Sequence, residues 1–189
     1  MRAPLFNLLL AACLLAGAGA AQRREFLTPA EVDEVREAQE PADRMKLYVQ
    51  FARVRLDTLD KEMAKESAER GAVLHDLLYE YDRIIDALDG MAELGISKRA
   101  LVRRGLDAAV RAEPEFLKRL QALEAKNPKD LEDYRFILRQ AIESTESSLV
   151  ELRTQLGKLP ADKKEDRRLE KEAQKEEQKR KKNEKPPPK

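Results

Sequence analysis

Apolar residues recur every three or four positions along most of this chain, which is the spacing of one buried helix face. The longest stripe begins after position 41. Its members are Met45, Tyr48, Ala52, Leu56, Leu59, Met63, Leu74, Leu77, Tyr81, Ile84, Leu88 and Met91. No stretch alternates with period two for long enough to predict a strand. The sequence therefore predicts an all-α fold.

The first helix is predicted to be short. Thr28 can cap its N terminus, Pro29 suits its first position, and Glu31 completes a capping box. Pro41 ends it, because proline has no amide donor and disfavours helical backbone in the preceding residue. The long stripe then loses its apolar residues at 67–71. This predicts two helices joined by a turn, with one continuous helix of about fifty residues as the alternative.

Further breaks follow in the second half of the chain. Gly95 stands where a left-handed C-cap is expected, and Ser97 is expected to cap the next helix. Pro114 falls inside that helix and is expected to kink it. Asn127, followed by proline, ends the helix.

The segments between these breaks predict the architecture. Four helices of roughly 25–30 residues, joined by short connections, favour an antiparallel up-down bundle. With the short N-terminal helix, this bundle domain covers 28–159. Residues 22–27 are predicted to form a linker, and 160–189 are predicted to form a charged tail that is disordered or loosely helical, because it has few apolar side chains to bury.

The first 21 residues have the three parts of a secretory signal peptide. Arg2 precedes an apolar run, and a small-residue segment then allows cleavage near Ala20 or Ala21. The sequence thus predicts a periplasmic or secreted protein. In the alternative, Leu10-Ala11-Ala12-Cys13 is a bacterial lipobox and the chain is a lipoprotein anchored at Cys13.

Composition supports long helices or coiled coils, since 39% of residues are charged and only 5% are aromatic. The charge is unevenly placed: residues 158–189 carry a net charge of +5, whereas 22–157 carry −5. A basic run in the tail is a candidate patch for an anionic partner or surface, although a solubilising tail accounts for it as well. The run consists of Lys179, Arg180, Lys181 and Lys182.

Most catalytic classes lack their residues here. His75 is the only histidine, and the sequence has no P-loop, nucleophile elbow or haem-attachment motif. We therefore expect no enzyme activity, no cofactor and no metal site. One candidate site is a polar cluster in the middle third of the bundle, near Pro114, where small polar residues interrupt the apolar stripe. Its predicted members are His75, Tyr79, Glu113, Thr145 and Ser148.

These features favour an exported helical bundle that binds or scaffolds a protein or another component of the cell envelope. One alternative is a holdase-like chaperone. The start at Leu27-Thr28-Pro29-Ala30-Glu31 resembles the L-T-x-x-Q motif of small periplasmic helical chaperones, with Glu in place of Gln. A third hypothesis is a small-molecule carrier or sensor that uses the mid-bundle cluster. A homodimer is compatible with each hypothesis, and nucleic acid is not an expected partner because the folded body is acidic.

Overall fold

The computed structural model describes residues 25–97 and 101–159, and within these ranges every regular element is helical. The elements are α1 (Pro29–Glu37), α2 (Pro41–Met63), α3 (Arg70–Ser97), α4 (Arg103–Lys126), a 3₁₀ turn (Leu131–Asp133) and α5 (Arg135–Lys158). The predicted all-α fold is confirmed. The predicted signal peptide with Cys13, and the tail with its basic run, lie outside the described residues. Over those two ranges, no helix is long and apolar enough to cross a bilayer.

Helix α1 begins as the sequence predicts. The Thr28 hydroxyl accepts a hydrogen bond from the Glu31 amide at 3.2 Å, and Glu31 Oε2 accepts one from the Thr28 amide at 2.8 Å. Pro29 occupies the first turn of the helix, where a backbone amide has no hydrogen-bond partner within the helix, so the amide hydrogen that proline lacks is not missed. The capping box is therefore confirmed, and it fixes the direction in which the chain enters the bundle.

The long apolar stripe is divided between two helices, as predicted. Helix α2 ends at Met63 and α3 begins at Arg70. The connection thus lies a few residues earlier than the predicted turn at 67–71. The Arg70 guanidinium holds this end by donating to both carboxylate oxygens of Asp130, at 2.7 and 2.9 Å.

The predicted C-cap at Gly95 is wrong. Helix α3 continues to Ser97, whose hydroxyl donates to the Leu94 carbonyl at 2.9 Å instead of capping α4. No glycine among the described residues has a positive φ, and the left-handed cap belongs to Asn127 at φ 44°. Gly95 is buried, and a Cβ placed on it would clash with Val102. Glycine is needed here for close packing rather than for its backbone freedom.

The predicted antiparallel arrangement is confirmed only in part. Helix α2 packs against α3 and α4, and α5 packs against the same two helices. The pairs α2/α3 and α4/α5 are antiparallel. The pairs α2/α4 and α3/α5 run parallel, so the consecutive helices α3 and α4 lie on a diagonal of the bundle. Side-chain contacts between α2 and α4 include those of Arg119 with Asp57 and Asp60. Between α3 and α5, the contacts of Asp82 with Ser144 and of Asp89 with Ser148 advance together along both helices, as they do in a parallel pair.

Two glycines accommodate this diagonal connection. Val102 lies over Gly95 at the end of α3, and Gly95 is also close to Pro41 at the start of α2. A Cβ on Gly105 would lie 2.7 Å from Met45 Cβ, so α4 approaches α2 closely. Short connections alone predict neighbouring antiparallel helices, and these close approaches explain why α4 lies beside α2 instead.

Between the helices, the apolar stripes form one continuous core. Its largest fully buried side chains include Met45, Leu56, Leu74, Leu78, Tyr81, Ile84, Leu88, Leu106, Phe116, Leu120 and Tyr134. Helix α4 continues through Pro114, and the predicted kink there stays a prediction.

Candidate functional site

Small side chains on α5 allow α3 to come close. Ala141, Ser144, Thr145 and Ser148 are spaced three or four residues apart, so they share the face of α5 that packs on α3. Because these side chains are short, polar groups of the two helices lie within hydrogen-bonding distance. The result is a polar seam in the middle of an otherwise apolar bundle.

The first part of this seam surrounds Asp82, whose exposed fraction is 1%. Its carboxylate accepts hydrogen bonds from Gln140 Nε2 at 2.6 Å and from Ser144 Oγ at 2.7 Å. Beside it, the hydroxyls of Tyr81 and Thr145 lie 2.8 Å apart, and Thr145 donates to the Ala141 carbonyl at 2.6 Å. Burial raises the pKa of Tyr81, which keeps the phenol neutral.

The second part of the seam joins three helices. Ser148 Oγ of α5 lies 2.6 Å from Asp89 Oδ1 of α3 and 2.9 Å from Glu113 Oε1 of α4. Glu113 is fully buried, and its second oxygen, Oε2, has no hydrogen-bond partner among the described residues. We call Asp89, Glu113 and Ser148 the carboxyl triad.

Burial determines the protonation of the triad. It raises the pKa of Glu113 to about 8, although the hydrogen bond from Ser148 acts in the opposite direction. Burial likewise raises the pKa of Asp89 to about 6, with the neighbouring carboxylates of Asp86 and Glu151 adding to the effect. We therefore expect Glu113 to be mainly protonated at pH 7.

A cleft of about 360 Å³ opens between α3 and α5 next to the triad. Its lining residues are Asp89, Gly90, Glu93, Glu151, Leu152 and Gln155. The charged side chains that line this cleft are all acidic. Gln155 Nε2 donates to Glu151 Oε1 at 2.8 Å, whereas Gln155 Oε1 is buried without a partner in residues 25–97 and 101–159. A more open depression of about 440 Å³, lined partly by Arg70 and Lys129, lies at the other end of the bundle.

The structure brings three of the predicted cluster residues into the seam. Glu113, Thr145 and Ser148 are all buried there. His75 instead lies 44% exposed, with Nδ1 3.4 Å from Asp76 Oδ1. Tyr79 is half-buried against the hydrophobic core, and Tyr81 supplies the hydroxyl that bonds Thr145.

Sequence reasoning missed two acidic members of the seam, Asp82 and Asp89. Their spacing along α3 could have identified them. They are seven residues apart and lie four residues after Leu78 and Ile85, which places both carboxylates on the buried face of α3. An aspartate on an apolar stripe is a stronger indication of a buried polar contact than the hydroxyl residues opposite it.

A second buried charged group joins α1 to the bundle. The Arg55 guanidinium of α2 donates to both oxygens of Glu31 at 2.7 Å, to Glu80 Oε2 at 2.6 Å and to the Phe26 carbonyl at 3.1 Å. Burial by itself raises the pKa of Glu31, but hydrogen bonds from Arg55 and the Thr28 amide bring it below its ordinary value. We call Glu31, Arg55 and Glu80 the arginine cluster.

No group of three or more potential metal-binding side chains is arranged to hold an ion in the part of the chain that the structure describes. Comparisons of this chain with protein-family models, with curated proteins and with solved structures find no match. The candidate function therefore rests on the chemistry of the seam and of the cleft beside it.

Proposed function

We propose that this chain is an exported helical-bundle protein that binds or scaffolds in the cell envelope, and that cationic side chains of its partner enter the cleft between α3 and α5. The observation that carries this proposal is the convergence of Asp89, Glu93 and Glu151 on one cleft of about 360 Å³. Carboxylates from two helices in a concave wall concentrate a negative potential.

The chemistry of the cleft suits lysine or arginine donors. An ammonium or guanidinium group would find three carboxylates within one concave surface. The net charge of −5 on residues 22–157 acts in the same direction over a longer range. A basic partner is thus favoured both by the charge of the cleft and by the net charge of residues 22–157.

Export and the tail complete the proposal. A cleaved signal peptide gives a mature chain that begins at Ala21 or Gln22, and the basic run at 179–182 contacts an anionic envelope surface. Intact-mass measurement of the protein isolated from cells tests the first point. A lipidated mature chain that begins at Cys13 would contradict cleavage near Ala20 and support the lipoprotein alternative.

Two glycines provide a matched test of the cleft. A Cβ added at Gly90, which lines the cleft, or at Gly157, which lies near the end of α5, meets no atom within 4 Å. A photo-crosslinking residue therefore fits at either position. We expect in-cell crosslinking at position 90 to capture one defined partner and crosslinking at position 157 to capture far less of it.

The carboxylates supply the control. The double variant E93Q/E151Q removes two negative charges from the cleft, and we expect it to abolish the adduct at position 90. The matched variant E132Q/E143Q removes two exposed carboxylates that do not line the cleft and should leave the adduct unchanged. An adduct that survives E93Q/E151Q, or none at position 90, would contradict the proposal.

A second candidate is a carrier or sensor for a small cationic molecule. The size of the cleft favours it, because ligand pockets occupy roughly 300–1,000 Å³. Calorimetric titration with spermidine separates the two candidates. Saturable binding that is lost in E93Q/E151Q would support the carrier, whereas its absence together with a protein adduct would support the scaffold.

A further inference from the structure

The carboxyl triad contains fewer hydrogens than its contacts need if both acids are ionised. Ser148 has one hydroxyl hydrogen, yet its oxygen lies 2.6 Å from Asp89 and 2.9 Å from Glu113. A hydroxyl can donate one strong hydrogen bond. The other short contact would then place an oxygen lone pair against an ionised carboxylate.

One additional proton satisfies both contacts. A protonated Glu113 donates from Oε1 to Ser148 Oγ, and Ser148 donates to Asp89 Oδ1. The partnerless Oε2 of Glu113 is then a neutral carbonyl oxygen rather than half of a buried carboxylate. Leaving a neutral acceptor unsatisfied is far less costly than burying an unpaired charge.

We propose that the carboxyl triad is a proton-binding site that makes the bundle sensitive to pH: the folded chain holds one proton between Glu113, Ser148 and Asp89, and the packing of α3 and α4 on α5 loosens when that proton is lost. After its loss, two negative charges flank a single hydroxyl. The charge on Glu113 is then incompletely hydrogen-bonded inside the bundle, where water screens it poorly, whereas Asp89 borders the cleft.

The surrounding groups leave this charge largely uncompensated. The titratable or charged side chains that interact with the two acids of the triad are Tyr81 and Asp86 of α3 and Glu151 and Arg153 of α5. Asp82 of α3 and Arg119 of α4 lie near Tyr81, and Arg119 is paired with Asp57 and Asp60 of α2. Arg153 is the cation that faces Glu113. It is exposed, so water screens its charge. Asp86 and Glu151 face Asp89 and oppose its ionisation.

The direction of the pH effect follows from the raised pKa of Glu113. An unfolded glutamic acid ionises near 4.5, whereas the folded group holds its proton to about 8. The stability that this proton provides is complete below the unfolded pKa and is lost as pH rises through the folded pKa. The site needs no ligand in the neighbouring cleft, so its test is independent of the binding proposed above.

Urea unfolding as a function of pH tests the site in the purified chain. Between about pH 5.5 and about pH 7.5, one proton held by the folded state raises the unfolding constant about tenfold for each pH unit. We expect the wild type to show this slope or a steeper one. In the isosteric variant E113Q, which cannot ionise, this slope should correspond to about one proton fewer than in the wild type. The control variant E143Q removes an exposed carboxylate of α5 and should keep the wild-type slope. Equal slopes for the wild type and E113Q would overturn the proposal.

A second measurement does not require the variant to fold. When the wild type unfolds at about pH 6.5, the triad should release about one proton per chain into a weakly buffered solution, because the unfolded acid is ionised at that pH. Release of about one proton or more supports the site. No release would overturn it.

Discussion

Arg55 and Glu113 are both buried in the bundle, but only Arg55 has counter-ions within hydrogen-bonding distance. In the arginine cluster, Glu31 and Glu80 surround the guanidinium, and the Phe26 carbonyl accepts a further donor. In the carboxyl triad, Glu113 has a hydroxyl and a second acid as its neighbours. The first group is stable as ions, whereas the second is stable with a proton. The same bundle thus buries charge by pairing at one place and avoids it by protonation at another.

The largest effect is expected from breaking the arginine cluster. The variant R55M keeps much of the apolar stem but leaves Glu31 as a buried carboxylate without its partner. We expect a loss of about 3–5 kcal/mol in the free energy of unfolding, measured by urea denaturation. Proteolysis should also reach α1, because Arg55 holds both Glu31 and the Phe26 carbonyl.

The variant R36M is the control for this experiment. Arg36 pairs with Asp33 on the surface, where the two side chains are 74% and 65% exposed. Such pairs contribute at most about 1 kcal/mol. Similar losses in R55M and R36M would show that the arginine cluster does not stabilise the docking of α1.

An intermediate effect is expected in the carboxyl triad. The variant S148A removes the hydroxyl that separates Asp89 from Glu113 and leaves both acids without their shared partner. We expect a loss of about 1–3 kcal/mol in unfolding free energy at neutral pH. The neighbouring variant S147A removes an exposed hydroxyl from the same helix and should change stability by less than about 0.5 kcal/mol. A loss in S148A no greater than in S147A would contradict a shared proton.

The two groups should also respond to opposite ends of the pH range. The folded pKa of Glu31 is lowered, so its stabilisation is present above its unfolded pKa of 4.5 and is lost as pH falls through the folded pKa. Asp130, held by Arg70, acts in the same direction. We expect unfolding free energy to fall by about 1 kcal/mol per pH unit on the acid side.

The variant E31Q separates this acid response from that of the other carboxylates. It should weaken the dependence on pH below about pH 4.5 and leave the slope above neutral pH unchanged. The control E34Q removes an exposed carboxylate from α1 and should preserve both responses. An acid response in E31Q identical to that of the wild type would exclude Glu31 as its source.

The helices could be predicted because their signals are local. The apolar stripe of α2 and α3 and the capping box at Thr28 depend on residues within a few positions of one another. The diagonal connection could not be predicted in this way. It depends on Gly95 beneath Val102 and Gly105 against Met45, contacts that exist only once three helices are assembled.

The candidate site likewise combines residues that the sequence indicates with contacts that only the assembled helices create. Thr145 and Ser148 attracted notice because small polar residues stand on an apolar stripe. Asp89 and Arg55 resemble ordinary charges on a solvated helix face until a partner helix is placed against them. Spacing could have identified the buried aspartates, but the single hydroxyl between two acids required coordinates from three helices.

Carboxyl-carbon NMR of the chain labelled at glutamate side chains tests the central comparison most directly. We predict that in the folded protein Glu113 titrates with a midpoint of about 8, whereas Glu31 titrates below 4.5. The variants E113Q and E31Q assign the two resonances. A Glu113 midpoint at or below about 4.5 in the folded chain would show that its carboxylate is ionised inside the bundle, and would contradict the proton-holding triad.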